Sequence, residues 1–142
     1  MTGLEKLLVA SVAVEVGLTF WLLFWLGRVR WQAVVNEEIH IRDIALDASK
    51  WPEAARKVSN AVDNQFQLPV LFYIAATLAL VTSAVNLVTV ALSIGFVVLR
   101  LLHAWILVTS NNVPRRFQVY SGGFLVLIIL WAYLVADLLL LR

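Results

Sequence analysis

Arg100 and His103 stand three residues apart inside an apolar run long enough to cross a membrane, so a helix puts them on one face. Placing an arginine at the centre of such a helix costs roughly 2.5–3.5 kcal/mol. A residue that costly is kept where it faces a partner, a polar crevice or a ligand. Other polar side chains gather near the same end. Asn64 and Gln67 stand at i and i+3, Arg30 follows the first apolar run, and Arg116 and Tyr120 lie one turn apart behind Pro114. Guanidinium groups fork onto carboxylates and amides pair with peptide groups. The collection suits a ligand that carries both.

Each of these residues also has a plainer reading. Glu15 interrupts the first apolar run about as deep as Arg100; at ~1.5 Å per residue both lie roughly 15–18 Å below the polar end. A buried Glu15–Arg100 ion pair that holds the bundle together is therefore expected, and such a pair can also floor a crevice. A lone histidine at this depth is more often a hydrogen-bonded core residue than a catalytic one. Arg30 and Arg116 fit a positively charged rim, and Tyr120 fits an interfacial anchor. Asn64, Gln67 and His103 are poorly explained in those terms. Asp137, near the far end of the last apolar run, reads as structural.

The elements that must carry these residues follow from composition. Of 142 residues 62% are hydrophobic and 14% charged, and the mean hydropathy is +0.89. Soluble domains sit near ~45–50% apolar, so the chain reads as a membrane protein. A net charge of +2 gives no reason to expect a nucleic-acid partner. There is no cysteine, which excludes a protein thiolate as nucleophile or metal ligand. Any thiol must arrive on a ligand, and no metal site is expected.

Four apolar runs predict an all-α integral membrane four-helix bundle in one domain, 1–142, with spans at about 4–27, 68–85, 87–108 and 117–141. The first run is too long for a signal-peptide core and lacks a cleavage site, so a retained anchor is expected. Residues 28–67 form a polar segment. In it, Ile39, Ile41, Ile44 and Leu46 alternate with charges as a membrane-surface stretch would. Trp51-Pro52 marks a helix start, with Glu53 and Lys57 an i,i+4 pair. That helix is expected to run unbroken into the second span, with Pro69 bending it. Arg28, Arg30, Arg42, Lys50, Arg56, Lys57, Arg115 and Arg116 fall on one side and Lys6 and Arg142 on the other. The positive-inside rule makes both polar loops cytoplasmic.

Four motifs in order then resemble the MAPEG family, membrane-associated proteins in eicosanoid and glutathione metabolism. They are Gly-Arg-Val-Arg ending span one, Asp-Asn-Gln-Phe-Gln before span two, Arg-Leu-Leu-His in span three and Pro-Arg-Arg-Phe-Gln-Val-Tyr opening span four. The resemblance covers essentially the whole chain. It implies a homotrimer in a bacterial-type inner (cell) membrane, with glutathione as co-substrate bound between protomers near the cytoplasmic face. The matching positions, implied to bind glutathione, are Arg30, Asn64, Arg100, His103 and Arg116; Gln67 and Tyr120, which gather at the same end, join them as glutathione-binding candidates. Arg116 inherits the role of thiolate stabiliser, and a cation beside a thiol does favour its ionised, nucleophilic form.

The pattern departs from the family at four places. Asp63 replaces an arginine and Gln67 a glutamate of the span-two signature. Leu107 stands where some glutathione-using members have tyrosine, and Phe117 where a prostaglandin-synthase-like member has serine. Two readings stay open. One is a glutathione transferase or peroxidase acting on lipophilic small molecules that enter from membrane lipid. The other is a non-catalytic scaffold or lipid-binding member of the same fold. A transporter is disfavoured, because few polar residues continue past mid-depth.

Overall fold

The computed structural model describes residues 1–45 and 47–140; Leu46 of the expected surface stretch, and Leu141 and Arg142 at the expected end of span four, lie outside them. The described chain is helical, running α1 (Gly3–Val35), α2 (Ile41–Ile44), a 3-10 turn (Ala48–Lys50), α3 (Glu53–Gln65), α4 (Leu68–Val81), α5 (Leu87–Val108) and α6 (Val113–Leu140). Among the described residues, four helical stretches are long and apolar enough to cross a membrane: α1, α3 with α4, α5 and α6. The protein is a multi-pass membrane protein. In lipid, helices satisfy their own backbone, which is why the chain offers little else at that depth.

Helix α1 is longer than its apolar run. Its 33 residues reach about 50 Å at ~1.5 Å per residue, well beyond a ~30 Å hydrocarbon core. The exit expected at Gly27–Trp31 is thus still helical, and the last turns project beyond the apolar layer. Its buried residues, Leu8, Ser11, Glu15, Leu18, Leu22 and Leu26, repeat every three or four positions. Ala33 is buried further along, while Leu7, Val14, Phe20, Trp21, Leu23 and Phe24 face outward.

The expectation of one unbroken helix into span two is corrected. The helix stops at Gln65, and Gln67 adopts φ −106° and ψ −105° before α4 begins. Pro69 is the physical reason. It has no N–H for the carbonyl four residues back, and its ring crowds that carbonyl. Span two also ends earlier than expected, at Val81, because Ser83 takes a left-handed φ of 56° and the Ala84 N–H closes onto the Ala79 carbonyl.

Side-chain caps set the other boundaries. The Asn86 Oδ1 accepts from the Val88 and Thr89 N–H groups, and the Thr89 hydroxyl accepts from the Asn86 N–H, forming a reciprocal cap on α5. The Asn86 side-chain N–H also donates to the Tyr133 hydroxyl at 2.9 Å, tying this turn to α6. At the opposite end Asn111 takes φ 47°, and the Asn112 Oδ1 accepts from the Arg115 N–H. Helix α6 starts at Val113, one residue before Pro114, with Pro114 in its first turn.

The interior has two apolar clusters. One joins Leu8, Leu68, Phe72, Phe96, Val97, Leu127 and Leu134. The other, towards the polar end, joins Leu18, Leu22, Val58, Ala61, Val62, Ala104 and Leu107. Between them along α1, α3 and α5 come Glu15, Gln65 and Arg100, which are 0%, 2% and 1% exposed. A buried polar layer divides the apolar interior.

Candidate functional site

The polar layer is the floor. The Arg100 Nε approaches the Glu15 carboxylate at 3.7 Å, so the expected pair exists, as a loose one. Its shorter contact is a 3.0 Å hydrogen bond from Nη2 to the Asn64 backbone carbonyl. That acceptor exists because α3 stops: carbonyls in a last helical turn lack a partner further along the helix. The break at Phe66–Gln67 thus presents a backbone oxygen to a buried cation. Gln65 completes the layer, its Oε1 accepting from the Thr19 hydroxyl at 3.4 Å.

Gln65 was not singled out in the sequence, where Gln67 drew attention instead. A signal for it exists: Val58, Ala61, Val62, Gln65, Leu68 and Phe72 make one stripe of helical spacing that runs through the break, and all are buried. Gln67 lies off that stripe and is exposed.

Above the floor opens a cleft of about 460 Å³ lined by Asn60, Asp63, Asn64, Gln67, His103, Leu107, Val113, Arg116, Phe117 and Tyr120. Its α3 wall is formed by Asn60, Asp63 and Asn64 at i, i+3 and i+4, and Gln67 joins it from the break that follows α3. The Asn64 side chain is occupied within α3, donating to the Asn60 carbonyl at 2.7 Å. Across the cleft, the His103 Nδ1 lies 3.3 Å from the Arg116 backbone carbonyl, and the Tyr120 ring packs 5.5 Å from the imidazole. A carbonyl only accepts, so Nδ1 is the donor and a neutral ring presents Nε2 as an acceptor. That Nε2 has no hydrogen-bond partner among the described residues.

Arg116 is aimed by the turn before it. Its Nη1 donates to the Asn111 Oδ1 at 2.7 Å, and the left-handed backbone of Asn111 puts that oxygen in reach. The guanidinium is thereby held at the cleft with further N–H donors in hand.

The expected site residues divide three ways. Asn64, Gln67, His103, Arg116 and Tyr120 line the cleft together. Arg100 lies beneath it, fully buried, with Glu15. Arg30 lines a neighbouring cleft of about 600 Å³, shared with Trp51, Arg56, Lys57, Ser59 and Asn111. There its guanidinium stacks 5.0 Å from the Trp51 ring and donates to the Ser59 hydroxyl at 3.3 Å. Asn60 and Asp63 belong to both clefts and form the ridge between them. Trp51, Ser59, Asn60 and Asn111 were not expected as site residues; they come from turns and from the outer face of α3, where polar side chains are ordinary.

Two further facts shape the electrostatics. Lys57 is engaged by Glu53 at 2.7 Å, the pair read from the sequence, so part of the basic charge is neutralised locally. Asp47, in the loop before α3, is held below the usual carboxylate range by the Ser49 hydroxyl and then by the Ser49 N–H.

Compared with known proteins, residues 8–136 match the model of the MAPEG family. No curated protein and no solved structure gives a match.

Proposed function

Since the chain belongs to the MAPEG family, a family of glutathione-related membrane proteins of transferase and peroxidase type, we propose that the cleft at Arg116 binds glutathione and activates its thiol. The carrying observation is the Arg116 guanidinium, fixed by Asn111 at the mouth of a polar cleft in a chain without a cysteine. A fixed cation beside the ligand's sulfur stabilises thiolate over thiol. Asn64 and Gln67 offer peptide-binding groups, with Tyr120 and His103 facing them across the cleft. The thiolate then forms a C–S bond at an electrophilic carbon of a lipophilic molecule arriving from the bilayer as the leaving group departs with the electron pair. Alternatively it attacks a peroxide oxygen, breaking the O–O bond to release the alcohol, and a second glutathione converts the resulting sulfenic acid to disulfide and water.

The polar end is assigned to the cytoplasm, on the concentration of arginine and lysine there. A homotrimer with the ligand between protomers is part of the same proposal. It is supported by Arg30, which within its own protomer lies across the Asn60–Asp63 ridge from Arg116. A second protomer gives an arginine of that kind a route to the same ligand.

A second reading, a lipid-binding member without catalysis, draws on Leu107 and the exposed Phe117 in the cleft wall and on Arg100 being occupied by Glu15 and Asn64. Calorimetry on the purified protein in detergent separates the two. Glutathione should bind, and Arg116→Ala should weaken it by about tenfold or more, the worth of a hydrogen bond to a charged group. No heat at millimolar glutathione overturns the proposal.

A further inference from the structure

Asp63 holds a position that helix stability does not explain. It lies in the last turn of α3, where an acid opposes the helix dipole, and its neighbours at i±3 and i±4 are Ser59, Asn60, Phe66 and Gln67. Its exposed carboxylate makes no hydrogen bond or ion pair among the described residues. It stands on the ridge that lines both clefts, with Arg116 in one and Arg30 and Arg56 in the other. The ridge is therefore negative and the ground on either side positive.

We infer that Asp63 recognises a free ammonium group, making the site selective for zwitterionic, amino-acid-like ligands over purely acidic ones. This rests on the reading of the site as a binder of thiol peptides and names which part of the peptide the ridge reads. The charge order fits a zwitterion whose thiolate lies at Arg116 and whose α-ammonium and adjoining carboxylate lie at Asp63 and at Arg30 or Arg56. A carboxylate facing a dianion would repel it, whereas an ammonium turns the same residue into an attractive contact. Asn60 and Asn64, one turn and one residue away, supply neutral amides around the pair.

The test compares glutathione with N-acetylglutathione, which keeps the thiol and both carboxylates but lacks the ammonium. Wild-type protein should bind glutathione about tenfold more tightly, the value of one charge-assisted contact. In Asp63→Asn, an isosteric change at an exposed position, the ratio should fall to about one, mainly through weaker glutathione binding. Asp63→Lys should reverse the preference. Equal binding of both compounds by the wild type, or an unchanged ratio in Asp63→Asn, overturns the assignment of Asp63 while leaving the thiol-peptide reading standing. Binding of neither compound overturns both.

Discussion

At the scale of single residues, the division of labour between Arg100 and Arg116 decides the chemistry. Arg100 is the more conspicuous in the sequence, because a charge inside an apolar run is costly, but it is fully buried and held by Glu15 and the Asn64 carbonyl. Truncating one partner of a buried pair leaves an uncompensated charge, at roughly 3–5 kcal/mol. Glu15→Ala should therefore lower the thermal midpoint in detergent strongly, and pairing it with Arg100→Met should recover much of the loss. Arg116 touches the cleft, so its removal should act on ligand binding with little effect on the melt. Asp47 gives a pH prediction. Its folded-state value is lowered by Ser49, so its stabilisation of the turn is complete above the ordinary carboxylate range and is lost as pH falls through the lowered value. The Ser49 amide resonance should move only in acid, and a shift near neutrality would contradict this.

At the scale of elements, the break between α3 and α4 matters most. It turns Gln67 outward to the cleft, leaves Gln65 in the buried layer and gives Arg100 a backbone acceptor. Pro69→Ala removes the cause. Alanine is the better helix former, so the isolated helix should gain. The protein should nonetheless melt lower, because a continuous helix takes back the carbonyls near Asn64. The effect should be coupled to Arg100: in an Arg100→Met background, Pro69→Ala should cost at least about 0.5 kcal/mol less. Additive effects would mean that the break and the arginine are independent. At the opposite end, Asn86→Ala removes a reciprocal cap and the link to Tyr133, and should cost about 1 kcal/mol in the same melts.

At the scale of the molecule, four membrane-crossing helices and the gathering of polar groups at one end were legible in the sequence, since a bilayer demands long apolar runs and penalises exceptions. Arg116, His103, Asn64, Gln67 and Tyr120 line one cleft for the same reason: polar residues at one depth on different helices must meet if the helices pack. Depth says nothing about which side of a helix ridge a residue falls on, so the separation of Arg30 from Arg116 was not readable. The break before Pro69 was missed because proline is tolerated in a first helical turn, and the buried stripe of Val58, Ala61, Val62, Gln65, Leu68 and Phe72 keeps its helical spacing across the break. The proposed homotrimer gives a whole-molecule prediction. Native mass spectrometry from mild detergent should find three copies of the chain, and a monomer that binds glutathione fully would show that one protomer's cleft suffices.

The central claim, that Arg116 holds the ligand's sulfur as thiolate, has a direct measurement: a pH titration of the near-ultraviolet thiolate absorbance of glutathione bound to the wild type, Arg116→Lys and Arg116→Ala proteins. The bound thiol should ionise well below free glutathione in the wild type, an effect partly retained with lysine and lost with alanine while enough ligand is present to fill the site. Bound glutathione that ionises as it does free in solution, or a lowered value that survives Arg116→Ala, would contradict it.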